Sequence, residues 1–199
     1  MRRTPRTAIV TLATVAVVLI GTAGTTPATT PATASAAAPR RDVTTDGYLD
    51  EALRQVNAVR AKHHAPPLTL DPELTAYAKS RADTVSRGEQ LSRGHDDLRP
   101  GTGENLYWSA ASDGVGSPTS AAEAVKVWYD ELKDYDFARP GFSPRTGHLT
   151  QLVWKKTARL GAARVQREGP HGQETWTSFA FEAPGNVRGH YKENVLPAS

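Results

Sequence analysis

None of the 199 residues is a cysteine. That absence excludes a disulfide framework, a thiolate metal centre, a cysteine nucleophile and a lipidated cysteine. A hydrophobic core and buried hydrogen bonds must therefore hold this chain. A folded body of about 160 residues is large enough to do so without staples. Hydrophobic residues make up 38% and charged residues 23%, the balance of a globular chain rather than a disordered or membrane one. The length fits one domain with a short appendage.

The appendage is at the N-terminus. Arg2, Arg3 and Arg6 form a positive start, Ala8 to Ile20 is apolar except for Thr11 and Thr14, and Ala34-Ser35-Ala36 is a small-x-small cleavage signal. The apolar core is shorter than the roughly 20 residues that span a bilayer, so a cleaved secretory signal over 1–36 is expected rather than an anchor. Gly21 to Pro39 is rich in Thr, Ala and Pro and reads as a long signal-peptide tail or a flexible leader, with the leader placed at 37–45. Export without cysteine points to a bacterial source. The leader also explains the charge. The chain carries 24 Lys and Arg against 21 Asp and Glu, a net charge of +3. The three surplus cations are Arg2, Arg3 and Arg6, so the remainder is balanced. Nucleic-acid binding by bulk charge is not expected.

Past the leader, apolar positions recur at helical spacing from Asp46 to His63. Asp71-Pro72 starts a second helix, with Asp71 as N-cap and Pro72 in its first turn. Ser120-Ala121-Ala122-Glu123 is a capping box that opens a helix running to about Tyr135. Gly88 to Gly103 reads as a loop. Leu160 to Gln166 and Thr175 to Glu182 read as strands joined by Gly169-Pro170-His171-Gly172.

The chain has no H-E-x-x-H, G-x-S-x-G, Walker A or Rossmann glycine pattern. A nucleotide enzyme, an ordinary zincin and an α/β-hydrolase are therefore not expected. Glu131 stands out on the helical wheel. With Trp128 at 0°, Glu131 falls near about 300°, on the border of the apolar stripe formed by Ala121, Ala124, Val125, Trp128, Leu132 and Tyr135. A carboxylate there must find a partner or lose its charge. His148 precedes an aromatic-containing segment, and His95 and Glu104 lie in or beside the glycine-rich loop. Taken singly, His148, His95 and Glu104 read as polar surface residues rather than as a site, and Glu131 as a side chain snorkelling from the stripe edge.

Taken together, these segments resemble the CAP superfamily, which includes cysteine-rich secretory proteins, antigen 5 and plant pathogenesis-related protein 1. Gly147-His148-Leu149-Thr150-Gln151-Leu152-Val153-Trp154 resembles its first signature, and Phe181-Glu182-Ala183-Pro184-Gly185-Asn186 its second. Gly103-Glu104-Asn105-Leu106, Trp128-Tyr129-Asp130-Glu131-Leu132 and the set Asn57, Arg60, His63 match further blocks. Glu193-Asn194-Val195-Leu196-Pro197 is similar to the C-terminus of the Golgi-associated plant pathogenesis-related branch. The resemblance spans Tyr48 to Pro197, and the domain is placed at 46–197.

The resemblance implies an α+β fold, a three-layer α/β/α sandwich around a small antiparallel sheet. It implies a cleft lined by His95, Glu104, Glu131 and His148. His95 and His148 suit a divalent cation, zinc before magnesium or calcium, with Glu104 or Glu131 reached through water. In the Golgi-associated branch a Ser follows the Trp of the Glu-Asn-Leu block by two positions. Here that position is Ala110, beside Ser109, which weakens a serine-nucleophile reading. Ser109 to Pro118 is the nearest counterpart of a sterol-binding loop, and Tyr77, Tyr107 and Trp108 are candidates for a lipid groove. The leading expectation is a secreted binding module for a lipid-like or other small ligand, a membrane surface or a protein partner outside the cell. A divalent-metal-dependent hydrolase and a purely structural wall domain are the alternatives. No catalytic residue is assigned.

Overall fold

The computed structural model describes residues 39–111 and 117–199. The signal-peptide segment and the centre of the Ser109–Pro118 loop lie outside the described residues.

Thr45 and Asp71 start the first two helices. Helix α1, Asp46–Lys62, is capped by the Thr45 hydroxyl, which accepts from the Tyr48 N–H at 3.2 Å. Helix α2, Pro72–Val85, is capped by the Asp71 carboxylate, which accepts from the Leu74 N–H at 2.9 Å. The Ser120 hydroxyl accepts from the Glu123 N–H and opens α3, Ala121–Tyr129. Two short helices complete the set, α4 at Gly147–Leu152 and α5 at Tyr191–Asn194.

Strands β1 (Arg41–Asp42), β2 (Thr69–Leu70), β3 (Gly103–Ala111), β4 (Arg159–Gly169) and β5 (Gly172–Glu182) form one sheet. The main order is β1-β4-β5-β3, all antiparallel, and β2 pairs parallel with β4. β1 lies near the hairpin end of β4 and β2 at its start. Strand β3 is paired along one side only, with β5.

Both sheet faces are covered. Leu160, Ala162, Phe179, Phe181 and Tyr107 point one way, into the core shared with α1, α3, α4 and α5. Ala163, Val165 and Ala180 point the other way, against Leu74, Ala78 and Ala82 of α2. This is the expected α/β/α sandwich. Helix α2 lies so close to the sheet that a Cβ at Gly161 would run into the backbone of Leu74 and Thr75. Only glycine fits there.

The structure differs from the sequence reading in three places. The third helix stops being α-helical at Tyr129 and continues as a 3-10 turn over Asp130–Asp134, rather than running to Tyr135. The Glu-Asn-Leu block is part of a long strand. Residues 41–45, read as leader, already belong to the fold: Arg41 and Asp42 pair with β4, and Thr45 caps α1.

The N-terminal block does architectural work. Arg60 is wholly buried and has no carboxylate partner among the described residues. Its guanidinium donates to the carbonyls of Pro66, Leu152, Trp154 and Thr157, each at 2.9 Å. Burial pushes its pKa down to about 10, so it stays charged at neutral pH. Asn57 exchanges two hydrogen bonds with the Leu68 backbone. The His63 ring reaches the Leu196 carbonyl at 2.6 Å and the Tyr129 hydroxyl at 3.2 Å, tying the C-terminus to α1 and α3.

Arg60→Met keeps the volume and removes every donor. Three buried carbonyls and that of Pro66 then lose a partner, so urea unfolding should show a loss of about 3 kcal/mol or more. A loss under about 1 kcal/mol would mean that water replaces the guanidinium.

Candidate functional site

The site forms around the start of β3. Alternation along that strand sends Glu104 toward α2 and Asn105 toward α4, because Glu104 stands opposite Ala180 and Asn105 opposite Phe179. The four expected residues therefore arrive as two imidazole–carboxylate pairs, one from each side of the strand.

The first pair is built on Arg81. Its guanidinium grips Glu104 with both arms, Nε to Oε1 at 2.9 Å and Nη2 to Oε2 at 3.0 Å. The same guanidinium donates to the backbone carbonyls of Gly94 and Asp96, which flank His95. His95 Nδ1 then meets Glu104 Oε2 at 3.1 Å, and the Ser178 hydroxyl donates to Oε1 at 3.0 Å. All four acceptor positions of Glu104 are thus engaged. Burial alone would raise the Glu104 carboxyl, but hydrogen bonds from His95 and Arg81 and the charge of Arg81 outweigh it. They hold the carboxyl below the usual carboxylate range.

The second pair joins the 3-10 turn to α4. Glu131 Oε1 meets His148 Nδ1 at 2.6 Å, and Oε2 accepts from the Leu149 N–H at 2.9 Å. The preceding residue Thr146 makes no side-chain cap on α4. Glu131 takes that place, satisfying an N–H of the first turn with a negative charge where the helix end is positive. The wheel edge position of Glu131 is therefore resolved by a partner rather than by exposure. The His148 ring stacks on Trp128 at 6.1 Å between centroids and 19° between planes, and its carbonyl accepts from Asn105 Nδ2.

In each pair the carboxylate lies inside and the imidazole outside. Side-chain exposure is 0% for Glu104 against 49% for His95, and 18% for Glu131 against 28% for His148. With each Nδ1 held by a carboxylate, the second ring nitrogen, Nε2, is left as the outward group. His95, Glu104 and His148 line one cleft of about 430 Å³. Glu131 lies on a second pocket of about 420 Å³, where His148 is again a wall. His148 thus stands between the two. Leu91, Leu106, Tyr107, Trp108, Val127 and Trp128 supply the apolar part of the second pocket. Tyr107 and Trp108 are therefore groove residues as well as core residues. Tyr77 instead packs against the α2 core and accepts from the Arg99 N–H at 2.8 Å.

Among the described residues, no group of three or more His, Cys, Asp and Glu is placed to hold a metal ion. The chemistry of the donors agrees. Glu104 has no acceptor position free, and what remains are two imidazole nitrogens plus the unused capacity of Glu131. A cation held between His95 and His148 would draw most of its shell from water.

Three site residues escaped the sequence reading. Arg81 had a signal, a charge on the apolar stripe of α2 between Ala78 and Val85. Gln151 lies across the cleft floor, accepts from the Gly185 N–H at 2.8 Å, and occupies the space a Cβ at Gly103 would need. Asn186, at φ 58°, donates to the Gly147 carbonyl at 2.9 Å and accepts from the Thr150 hydroxyl. No spacing rule marks either of these.

Compared with known proteins, residues 53–180 match the profile of the cysteine-rich secretory protein family, CAP. Human Golgi-associated plant pathogenesis-related protein 1 is 35% identical over 150 residues, which cover 74% of this chain and 92% of the relative. Pathogenesis-related protein 1A of Nicotiana tabacum is 35% identical over 136 residues, 67% of this chain and 73% of that one. Among solved structures, a crystal structure of NaASP2 with Zn2+ has the same fold, with a TM-score of 0.55 and 20% identity over 78% of this chain and 87% of that one.

Removing the Glu104 charge should cost far more than removing His95. Glu104→Gln leaves Arg81 buried and unpaired, a loss of about 3–5 kcal/mol. His95→Ala removes a half-exposed ring and should cost under about 1 kcal/mol. The contribution of Glu104 is complete above the unfolded carboxyl value of about 4.3 and is lost as pH falls through the lower folded value. Urea titrations of both variants at pH 7 and pH 4 check the order and the sign.

Proposed function

The chain belongs to the cysteine-rich secretory protein (CAP) family, and from that footing we propose that it is an exported binding module for a lipid-like small ligand. The observation that carries this reading is the pocket of about 420 Å³ between β3, α3 and the following turn. Leu91, Leu106, Trp108 and Val127 give it an apolar body, and a mouth of mixed charge is made by Lys133, Arg145 and His148 with Asp130, Glu131 and Asp134. That division suits a molecule with a hydrocarbon body and an oxygen-bearing head.

Catalysis is the weaker reading on this geometry. Arg81, Ser178 and His95 saturate Glu104, so it has no position from which to take a proton from water. Glu131 and His148 remain as a pair, but no nucleophile stands beside them. A metal at His95 and His148 belongs to the same proposal only as an occupant of the cleft, and the pocket's apolar body does not depend on it. Export is supported by the N-terminal charge, apolar core and cleavage signal read from the sequence.

Titration of the mature protein with a fluorescent long-chain fatty acid should give saturable uptake that is unchanged by a chelator. Val127→Glu places a carboxylate in the pocket and should weaken uptake at least about tenfold while the far-UV spectrum stays native. Uptake equal in variant and native protein, or none in the native protein, overturns the reading. A hydrolase would instead show uptake or turnover that a chelator removes. For export, the protein recovered from culture medium should begin at Ala37 by N-terminal sequencing. A chain retained in cells with Met1 intact would refute it.

A further inference from the structure

Among the described residues, only two large hydrophobic side chains are strongly exposed, Phe142 at 63% and Val187 at 43%. Phe142 stands at a groove. Phe142 lines the cleft of His95 and His148 and also a neighbouring depression of about 660 Å³. Asn186 lines both as well, and Val187 follows it in the chain. The two hollows therefore adjoin at Asn186 and Phe142.

The electrostatics of this groove are one-sided. Arg188 and Lys192 line the larger hollow, are exposed, and have no carboxylate partner among the described residues. No acidic residue lines that hollow. The one carboxylate in the adjoining cleft is Glu104, already neutralised by Arg81. The nearby acids are also engaged, Glu193 with His190 and Asp136 with Arg139. A positive end thus runs past an exposed aromatic ring into a cleft of amide and imidazole groups. The Phe142 ring leans on Gly147, where a Cβ would come within 3.2 Å of it, so one edge is fixed while most of the ring faces solvent.

We propose that this groove binds an acidic polysaccharide. The apolar CH face of a pyranose ring covers Phe142. Its carboxylates meet Arg188 and Lys192, where charge-assisted hydrogen bonds are available. Hydroxyl groups are met by the outward Nε2 of His148 and by the one Asn186 N–H that Gly147 does not take. An acidic peptide is the less fitting occupant. Extended peptides are commonly held through their backbone by a free strand edge, and no strand residue lines the hollow that carries the cations. The inference stands apart from the apolar pocket beyond His148 and does not require it to be filled.

The test uses the mature protein and oligogalacturonate of about ten sugars, followed by calorimetry or by changes in amide NMR signals. Expected is saturable binding that weakens with salt. It should weaken at least about tenfold in Phe142→Ala and in the double variant Arg188→Gln/Lys192→Gln. All three side chains are exposed, so the variants should melt with the native protein. The fully methyl-esterified oligosaccharide, which keeps the ring faces and lacks the charge, should bind at least about tenfold more weakly. No binding of oligogalacturonate overturns the proposal. Equal binding of poly-glutamate matched in charge also overturns it, since the groove would then read charge or peptide rather than sugar. Unchanged binding in Phe142→Ala would remove the ring from the site and with it the proposal.

Discussion

Arg81 and Glu104 meet with both arms of the guanidinium on both oxygens of the carboxylate, almost wholly shut off from water. Such a pair is costly to desolvate, and its attraction recovers that cost only when the remaining donors and acceptors are also satisfied. Here they are. The Ser178 hydroxyl and the His95 ring complete the carboxylate, and the carbonyls of Gly94 and Asp96 complete the guanidinium. The pair therefore does more than join a helix to a strand. It fixes the loop between α2 and β3 on both sides of His95, so an otherwise exposed imidazole acquires a defined position. The cleft exists because a loop without regular structure is held by charge.

The same logic operates in reverse on the other side of β3. Glu131 is held in place by what it caps. Its carboxylate satisfies the first turn of α4 and orients His148, and Trp128 supplies a flat surface beneath the ring. One imidazole is thus placed by a buried cation and the other by a helix end. Two neighbouring constraints rest on absent side chains. Glycine at 161 lets α2 approach the sheet, and glycine at 103 leaves room for Gln151 across the cleft floor. Both are short-range steric demands, one on β3, the strand that separates the two pairs, and one on β4, two strands away in the sheet.

Much of this was legible in the sequence, and the illegible parts have physical reasons. The caps at Thr45, Asp71 and Ser120 lie where local chemistry decides, and local chemistry is what a sequence displays. Thr45 is the partial exception, because the residues before Asp46 read as leader and their pairing with β4 is long-range. Strand β3 hid for a different cause. Gly103 to Ser109 are all buried, so the run lacks the polar and apolar alternation that marks a half-exposed strand. The break after Tyr129 was invisible because the apolar stripe continues through Leu132 and Tyr135 whether the turn is α or 3-10. His95, Glu104, Glu131 and His148 came from resemblance, and their arrangement as two pairs rather than one cluster follows from the alternation along β3. Glu104 faces α2 while Asn105 faces α4, whose first turn carries His148 against Glu131.

That split bears on what the cleft is suited to do. A metal centre or an acid–base machine needs groups that converge on one reacting point with capacity to spare. Here the carboxylates are turned inward and the imidazoles outward, and Glu104 is spent on the fold. What reaches the surface is a set of hydrogen-bonding groups held rigidly at the junction of three hollows, with His148 shared by two of them and Phe142 by two. Rigid, partly apolar walls with a few fixed polar groups favour recognition, because little ordering remains to be done when a ligand arrives. A chain without cysteine obtains that rigidity from buried ion pairs and carbonyl-capping guanidinia. Arg60 holds the core carbonyls together, and Arg81 fixes the wall of the cleft that carries His95.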